Sequence, residues 1–264
     1  MERKDGSKGR LAFVGLGLND ENGVSLAGLE EIARADVVFA EVYTSMLIEG
    51  ALDRLSVKTG KNISVLSRTV VEEGTAILNE CMGKRVALLV AGDPMTATTH
   101  VDLRLRAAGQ NIETVIVHGS SVQTAVPGAL GLQHYKFGRT TTLPFPQEGY
   151  SPTSPYDVVS ENLARGLHTL VLLDIGAEEG AFMTANEGLH LLKDMERRVG
   201  KGVITDDSLV CVVARAGSPD CVARAGRLGD LLDAEFGPPL HTIVVPGKLH
   251  FIEEDALRTF AGMR

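Results

Sequence analysis

The chain alternates two kinds of pattern. Short unbroken apolar runs are separated by stretches in which apolar residues return every three or four positions. The first run, residues 11–14, stops at Gly15 and Gly17. Ser25 then stands where a helix N-cap belongs, ahead of Leu26, Leu29, Ile32 and Ala33 at helical spacing. The second run, 37–40, ends in Glu41, and the third, 85–91, ends at Gly92-Asp93-Pro94. A helix-compatible stretch over 100–108 leads to a fourth run, 114–117, closed by His118-Gly119-Ser120-Ser121. Continuous apolar runs of this kind suit parallel strands, whose sheet is covered by helices on both faces and offers no polar side to water. Ligands of such sheets sit beyond the carboxyl ends of the strands, so 15–18, 92–96 and 119–122 are expected to converge.

The texture changes after residue 125. Residues 140–155 carry Pro144, Pro146, Pro152 and Pro155, with Phe145 and Tyr150 among them and Glu148 as their one charge, which reads as a long linking or functional loop. A second series of elements follows. Residues 169–173 read as a strand, and Thr184-Ala185-Asn186-Glu187 as a capping box opening a helix with Leu189, Leu192, Met195 and Val199 on one face. Residues 208–214 form another strand, a helix surrounds Leu228, Leu231 and Leu232, and 241–246 form the last strand before a short closing helix. The expected architecture is two α/β lobes, 10–122 and 123–264, joined near 120–130 and preceded by a flexible tail over 1–9.

Composition removes several function classes. A net charge of −8 without a cluster of Lys and Arg gives no footprint for nucleic acid, which is held by displacing counterions from its phosphates. No apolar stretch approaches the ~18 residues needed to cross a bilayer, and the charged start lacks the apolar core of a signal peptide. Three cysteines, Cys81, Cys211 and Cys221, lack metal-site spacing and form an odd set, which points to reduced thiols packed as small hydrophobes in a cytoplasm.

The candidate chemistry is sparse. Gly15-x-Gly17 after a strand, with Glu41 where a ribose-binding acid would stand, resembles a dinucleotide fingerprint, but Asn19 and Asp20 occupy the place of its third glycine. No Gly-Lys-Ser/Thr follows a strand, no histidine pair has metal-ligand spacing, and Gly119-Ser120-Ser121 is not a nucleophile elbow. Gly92-Asp93-Pro94 is the stronger feature. A glycine lets backbone approach a ligand, and a proline stiffens the turn that aims the aspartate, although a ligand-free turn explains the same residues.

Several blocks carry a resemblance that spacing does not. Residues 25–45, SLAGLEEIARADVVFAEVYTS, are similar to the first helix and second strand of tetrapyrrole-methylase-type methyltransferases, and AGDPMTATTH at 91–100 resembles their Gly-Asp-Pro loop. HYKFG at 134–138, PTSPYDVVSEN at 152–162, RGLHTLVLLDI at 165–175, TDDSLVCVVARAGS at 205–218 and VPGKLHFIE at 245–253 narrow the likeness to members that modify elongation factor 2. The resemblance implies two α/β lobes with a cofactor cleft between them, S-adenosyl-L-methionine as methyl donor and S-adenosyl-L-homocysteine as product. Its implied cofactor contacts are Leu18, Asp93, Thr96, Ser121, Val122, Leu173, Ala216 and His241, with no metal and no assigned catalytic residue. The implied acceptor is the amine of a 3-amino-3-carboxypropyl group on a histidine of elongation factor 2, methylated repeatedly by a cytoplasmic homodimer that needs neither nucleic acid nor membrane. Two alternatives stay open: a methyltransferase of the same fold acting on a tetrapyrrole or other small molecule, and a cofactor-binding protein without turnover.

Overall fold

A computed structural model describes residues 9–147, 149, 151–176 and 180–264. Residues 1–8 of the expected tail, Glu148 and Tyr150 lie outside the described residues. The chain divides into two compact units, one ending at Ser121 and one beginning at Val122.

The first unit runs β1 (Arg10–Gly15), α1 (Leu26–Arg34), β2 (Val37–Glu41), α2 (Ala51–Thr59), β3 (Ile63–Leu66), α3 (Arg68–Glu73), α4 (Thr75–Glu80), β4 (Arg85–Val90), α5 (His100–Gly109) and β5 (Glu113–Val117). The sheet order is β3-β2-β4-β1-β5, with every pairing parallel. The central strands β1 and β4 are buried beyond their first residue, because helices cover both faces. Strand alternation splits the core in two: Ala12, Val14, Ala40 and Leu89 on one face, Leu11, Phe13, Leu88 and Val90 on the other. Ser25 caps α1 as expected, accepting from Gly28 N at 3.1 Å. The face that α1 buries differs from the expected one. Leu26 and Ala33 are exposed while Gly28 and Ile32 are buried, since Gly28 lets the helix approach Val14 so closely that a Cβ there would lie 3.0 Å from its Cγ1.

The second unit comprises α6 (Val122–Leu130), β6 (Thr141–Leu143), α7 (Ser154–Ala164), β7 (Thr169–Leu173), β8 (Ile175–Gly176), β9 (Ala181–Phe182), α8 (Ala185–Val199), β10 (Leu209–Ala214), β11 (Val222–Arg227), α9 (Leu228–Leu231), β12 (His241–Val245) and α10 (Phe251–Ala261). Its main sheet, β11-β10-β12-β7-β6, is mixed: β6 pairs with β7 in parallel, and the other pairings are antiparallel. The capping box at Thr184 and Glu187 forms, and α8 buries Leu189, Leu192 and Met195. Two expectations are corrected here. The proline-rich stretch is no continuous loop, because Thr141–Leu143 joins the sheet and α7 starts at Ser154 with a proline in its first turn, where the lost N–H has no helical partner to miss. Cys81 and Cys211 are packed inside, but Cys221 is exposed just before the edge strand β11.

Candidate functional site

In the first unit the strand-end turns do converge. Gly17 and Gly92 exchange backbone hydrogen bonds, Gly17 N to Gly92 O at 3.1 Å and Gly92 N to Gly17 O at 2.7 Å. A Cβ on Gly119 would lie 2.4 Å from Gly92 O, and one on Gly15 would lie 2.6 Å from Gly119 N. These glycines therefore serve backbone-on-backbone packing of three turns, which accounts for a Gly-x-Gly that needs no third member. Asp20, in the third glycine's place, caps a single 3-10 turn over Glu21–Gly23 by accepting from Asn22 N at 2.9 Å.

Asp93 is the clasp of this edge. Its carboxylate is buried and accepts from Met95 N at 2.9 Å, Thr96 Oγ1 at 3.2 Å, His118 Nδ1 at 2.7 Å and Gly119 N at 3.3 Å. Burial alone would raise its pKa, yet these donors outweigh burial and hold it below the ordinary carboxylate value. Asp93 and Thr96 are thus brought together directly, and Gly119 is tied to them across 26 residues of sequence. Leu18 follows Gly17 at the bridge to Gly92, and Ser121 ends the turn after β5. Since both carboxylate oxygens of Asp93 are engaged within the fold, its contribution is the shape of the loops.

Glu41 is not an exposed ribose acid. It closes β2 fully buried, and accepts from Tyr43 N and Thr44 N, both at 3.1 Å, and from the Thr44 hydroxyl. His100, the first residue of α5, donates from Nδ1 to Pro94 O at 2.9 Å, while its Nε2 stands 3.9 Å from Glu41 Oε1. That Nε2 and the Tyr43 hydroxyl oxygen are buried atoms without a hydrogen-bond partner. Sequence reasoning placed Glu41 at a strand end but missed Tyr43 and His100; the apolar run stopping on a carboxylate was the available signal.

In the second unit Leu173 ends β7, Ala216 follows β10, and His241 begins β12. The antiparallel pairings Ala214↔His241 and Leu172↔Thr242 put these three on one edge of the sheet. At this edge β7 and β10 contribute carboxyl ends, whereas His241 lies at an amino end because β12 runs the other way. His241 accepts from Ala185 N at Nδ1, 3.0 Å away, and points Nε2 to the carbonyls of Gly237 and Pro238 at 3.1 and 3.0 Å. Burial, outweighing those carbonyls, holds the imidazole below its ordinary pKa, so the ring is neutral with its proton on Nε2. The side chain of Leu173 packs against α8, where a Cβ on Gly188 would come within 2.8 Å of its Cδ2. Val122, at the start of α6, is half-buried against the core that includes Val126 and Leu130.

Backbone strain marks the same places. Four non-glycine residues among the described ones have left-handed φ: Asn19 (70°), Ala97 (57°), Asn111 (59°) and Arg215 (52°). Three of them adjoin predicted contacts, Leu18, Thr96 and Ala216. Such conformations cost of order 1–3 kcal/mol each and persist where surrounding structure enforces them, commonly at ligand sites. Arg215 is enforced by its own guanidinium, which donates to Asp220 Oδ2 at 2.6 Å and to Phe236 O and Pro238 O at 2.9 and 2.7 Å.

Other blocks that carried the resemblance are accounted for by folding. Glu253 is fully buried and accepts from Gln133 N at 2.9 Å, His168 Nε2 at 2.9 Å, His250 N at 2.8 Å and the Lys136 ammonium. This joins HYKFG, RGLH and KLHFIE into one network. In PTSPYDVVSEN, Tyr156 donates to Glu196 Oε2 at 2.7 Å, and Asn162 binds Arg139 O at 2.8 Å and Thr169 Oγ1 at 2.9 Å. Among the described residues no group of three or more His, Cys, Asp or Glu is placed to hold a metal, and no helix is long and apolar enough to cross a membrane.

Residues 10–232 match the family model described as tetrapyrrole (corrin/porphyrin) methylases. The chain is 48% identical to a diphthine synthase of Methanocaldococcus jannaschii over 94% of this chain and 97% of that one. It is 46% identical to a diphthine synthase of Methanothermobacter thermautotrophicus over 96% of each. Among solved structures, a crystal structure of a diphthine synthase superposes with a TM-score of 0.88 at 36% identity, covering 96% of each chain.

Proposed function

We propose, on the premise that this chain belongs to the tetrapyrrole (corrin/porphyrin) methylase family and within it to the diphthine synthases, that its donor is S-adenosyl-L-methionine and its acceptor the 3-amino-3-carboxypropyl group on a modified histidine of elongation factor 2. The chain is a methyltransferase, and repeated N-methylation would give diphthine. The donor contacts we assign are Leu18, Asp93, Thr96 and Ser121 in the first unit, and Val122, Leu173, Ala216 and His241 in the second. The observation that carries the reading is the strained backbone at Asn19, Ala97 and Arg215, beside three of these residues.

The donor supplies an activated methyl on a sulfonium. With the donor bound, the lone pair of the acceptor nitrogen would attack that methyl opposite the C–S bond, whose electrons would stay on sulfur as a neutral sulfide while nitrogen became an ammonium. A proton must leave nitrogen before each further attack; none remains to leave after the third. The residues fit this chemistry by orientation, which supplies ~7–11 kcal/mol in favourable cases. Asp93 and His241 hold turns instead of moving protons: Asp93 ties 93–96 to 118–119, and neutral His241 ties the start of α8 to the 237–238 segment. Exclusion of water would favour the neutral amine, since burial disfavours an ammonium.

Calorimetric titration with S-adenosylmethionine and S-adenosylhomocysteine, followed by incubation with precursor-bearing elongation factor 2, tests the assignment. Binding of both and methylation of the factor support it. Methyl transfer to a porphyrinoid but not the factor favours a tetrapyrrole acceptor, and binding without turnover favours a non-catalytic role. A cytoplasmic homodimer belongs to the same proposal, and sedimentation of the purified chain tests the dimer.

A further inference from the structure

Glu41 is out of place in its surroundings. A buried carboxylate is costly unless paired, and a charge left inside without a counter-ion is among the most destabilising features a fold can carry. Its one ion-pair neighbour among the described residues is His100, whose Nε2 at 3.9 Å is beyond hydrogen-bonding distance. Both carboxylate oxygens accept, Oε2 from two backbone N–H groups and Oε1 from the Thr44 hydroxyl; burial pushes the pKa of the group up, and these donors together with His100 oppose that rise. It sits at the carboxyl end of β2, opposite Val90, two residues before Gly92. Beside it the half-buried ring of Tyr43 carries a hydroxyl with no partner.

We propose that the Tyr43–Thr44 turn, held by the buried Glu41 and lying in its field, is the subsite for positive charge in methyl transfer, receiving the acceptor nitrogen as it becomes an ammonium. This rests on the methyltransferase reading above. During transfer the positive charge moves from sulfur to nitrogen; the C–S bond breaks as the N–C bond forms, and no proton moves in that step. A fixed negative charge behind the acceptor side stabilises the end of that movement, and an aromatic face adds cation–π attraction. Being sealed from solvent, Glu41 acts through its field and through the turn; it is a positioning residue.

Glu41→Gln keeps the shape and removes the charge. By calorimetry, the wild type should prefer cationic S-adenosylmethionine over the neutral S-adenosylhomocysteine, and E41Q should lose about tenfold of that ratio while binding the neutral sulfide normally. Glu41→Asp, which keeps the charge, should restore most of the ratio. With precursor-bearing elongation factor 2, kcat in E41Q should fall by on the order of thirtyfold. An unchanged affinity ratio in folded E41Q overturns the inference. Should E41Q fail to fold, Tyr43→Leu carries the test: acceptor KM should rise about tenfold with donor affinity intact, and unaltered acceptor kinetics in folded Y43L overturn it equally. A wild type that binds neither nucleoside would instead remove the methyltransferase reading on which this rests.

Discussion

Glu253→Gln separates what holds this molecule together from what it does. Wild-type Glu253 accepts four hydrogen bonds in a fully buried position, and although burial alone would raise its pKa, Lys136, His250 N, Gln133 N and His168 pull it from an ordinary 4.5 to about 2. At about 1.4 kcal/mol per pH unit that displacement is worth about 3 kcal/mol of stability. A glutamine keeps one acceptor oxygen for Gln133 N and His168, but turns an amide N–H toward Lys136 and His250 N, which are donors themselves. The expected loss is about 3 kcal/mol, in line with removing one partner of a buried charged pair. The sign of the pH effect follows from the depressed value. Wild-type stability from this group is complete above about pH 5 and lost as pH falls toward 2, so the gap between wild type and E253Q is constant near neutrality and closes in acid. The chain has no tryptophan, so urea unfolding followed by far-ultraviolet circular dichroism is the suitable assay. Donor affinity of the folded variant should be unchanged. A loss below about 1 kcal/mol, or a gap that does not shrink in acid, would refute the account of this network.

Other perturbations follow from the same contacts. Asp93→Asn should lower donor affinity at least about tenfold in calorimetry, because an amide cannot accept from both Met95 N and the His118–Gly119 turn. Gly119→Ala should destabilise the chain by about 2 kcal/mol or more in urea unfolding, since its Cβ would lie 2.4 Å from a backbone oxygen that has no room to yield. His168 and His241 are both held below the ordinary 6.5, chiefly by burial, so the unfolded chain takes up protons that the folded chain refuses. Stability should therefore fall as pH drops through about 6.5, and His241→Gln should weaken that dependence in thermal scans at stepped pH.

Features decided by neighbours in sequence were legible in it. The Ser25 cap and the Thr184–Glu187 box depend on residues three apart, and the runs at β1 and β4 are apolar throughout because both their faces are covered. Features decided by distant partners were not. Strand β11 alternates arginine with alanine and glycine and becomes a strand only by pairing with β10. Pro127 disguises α6, and Gly28 turns α1 away from the face its leucines suggest. The convergence of three turns was readable from where the apolar runs stop, but the part Asp93 plays was not, being fixed by His118 25 residues later. Likewise Lys136, His168 and Glu253 lie far apart in sequence, and only the fold shows them to be one buried network.

The most direct test is intact-mass measurement of elongation factor 2 carrying the 3-amino-3-carboxypropyl side chain, after incubation with this chain and S-adenosylmethionine. Successive gains of one methylene unit, confined to the modified histidine, are the predicted result. An unchanged factor alongside a wild type shown to bind the donor would contradict the assignment.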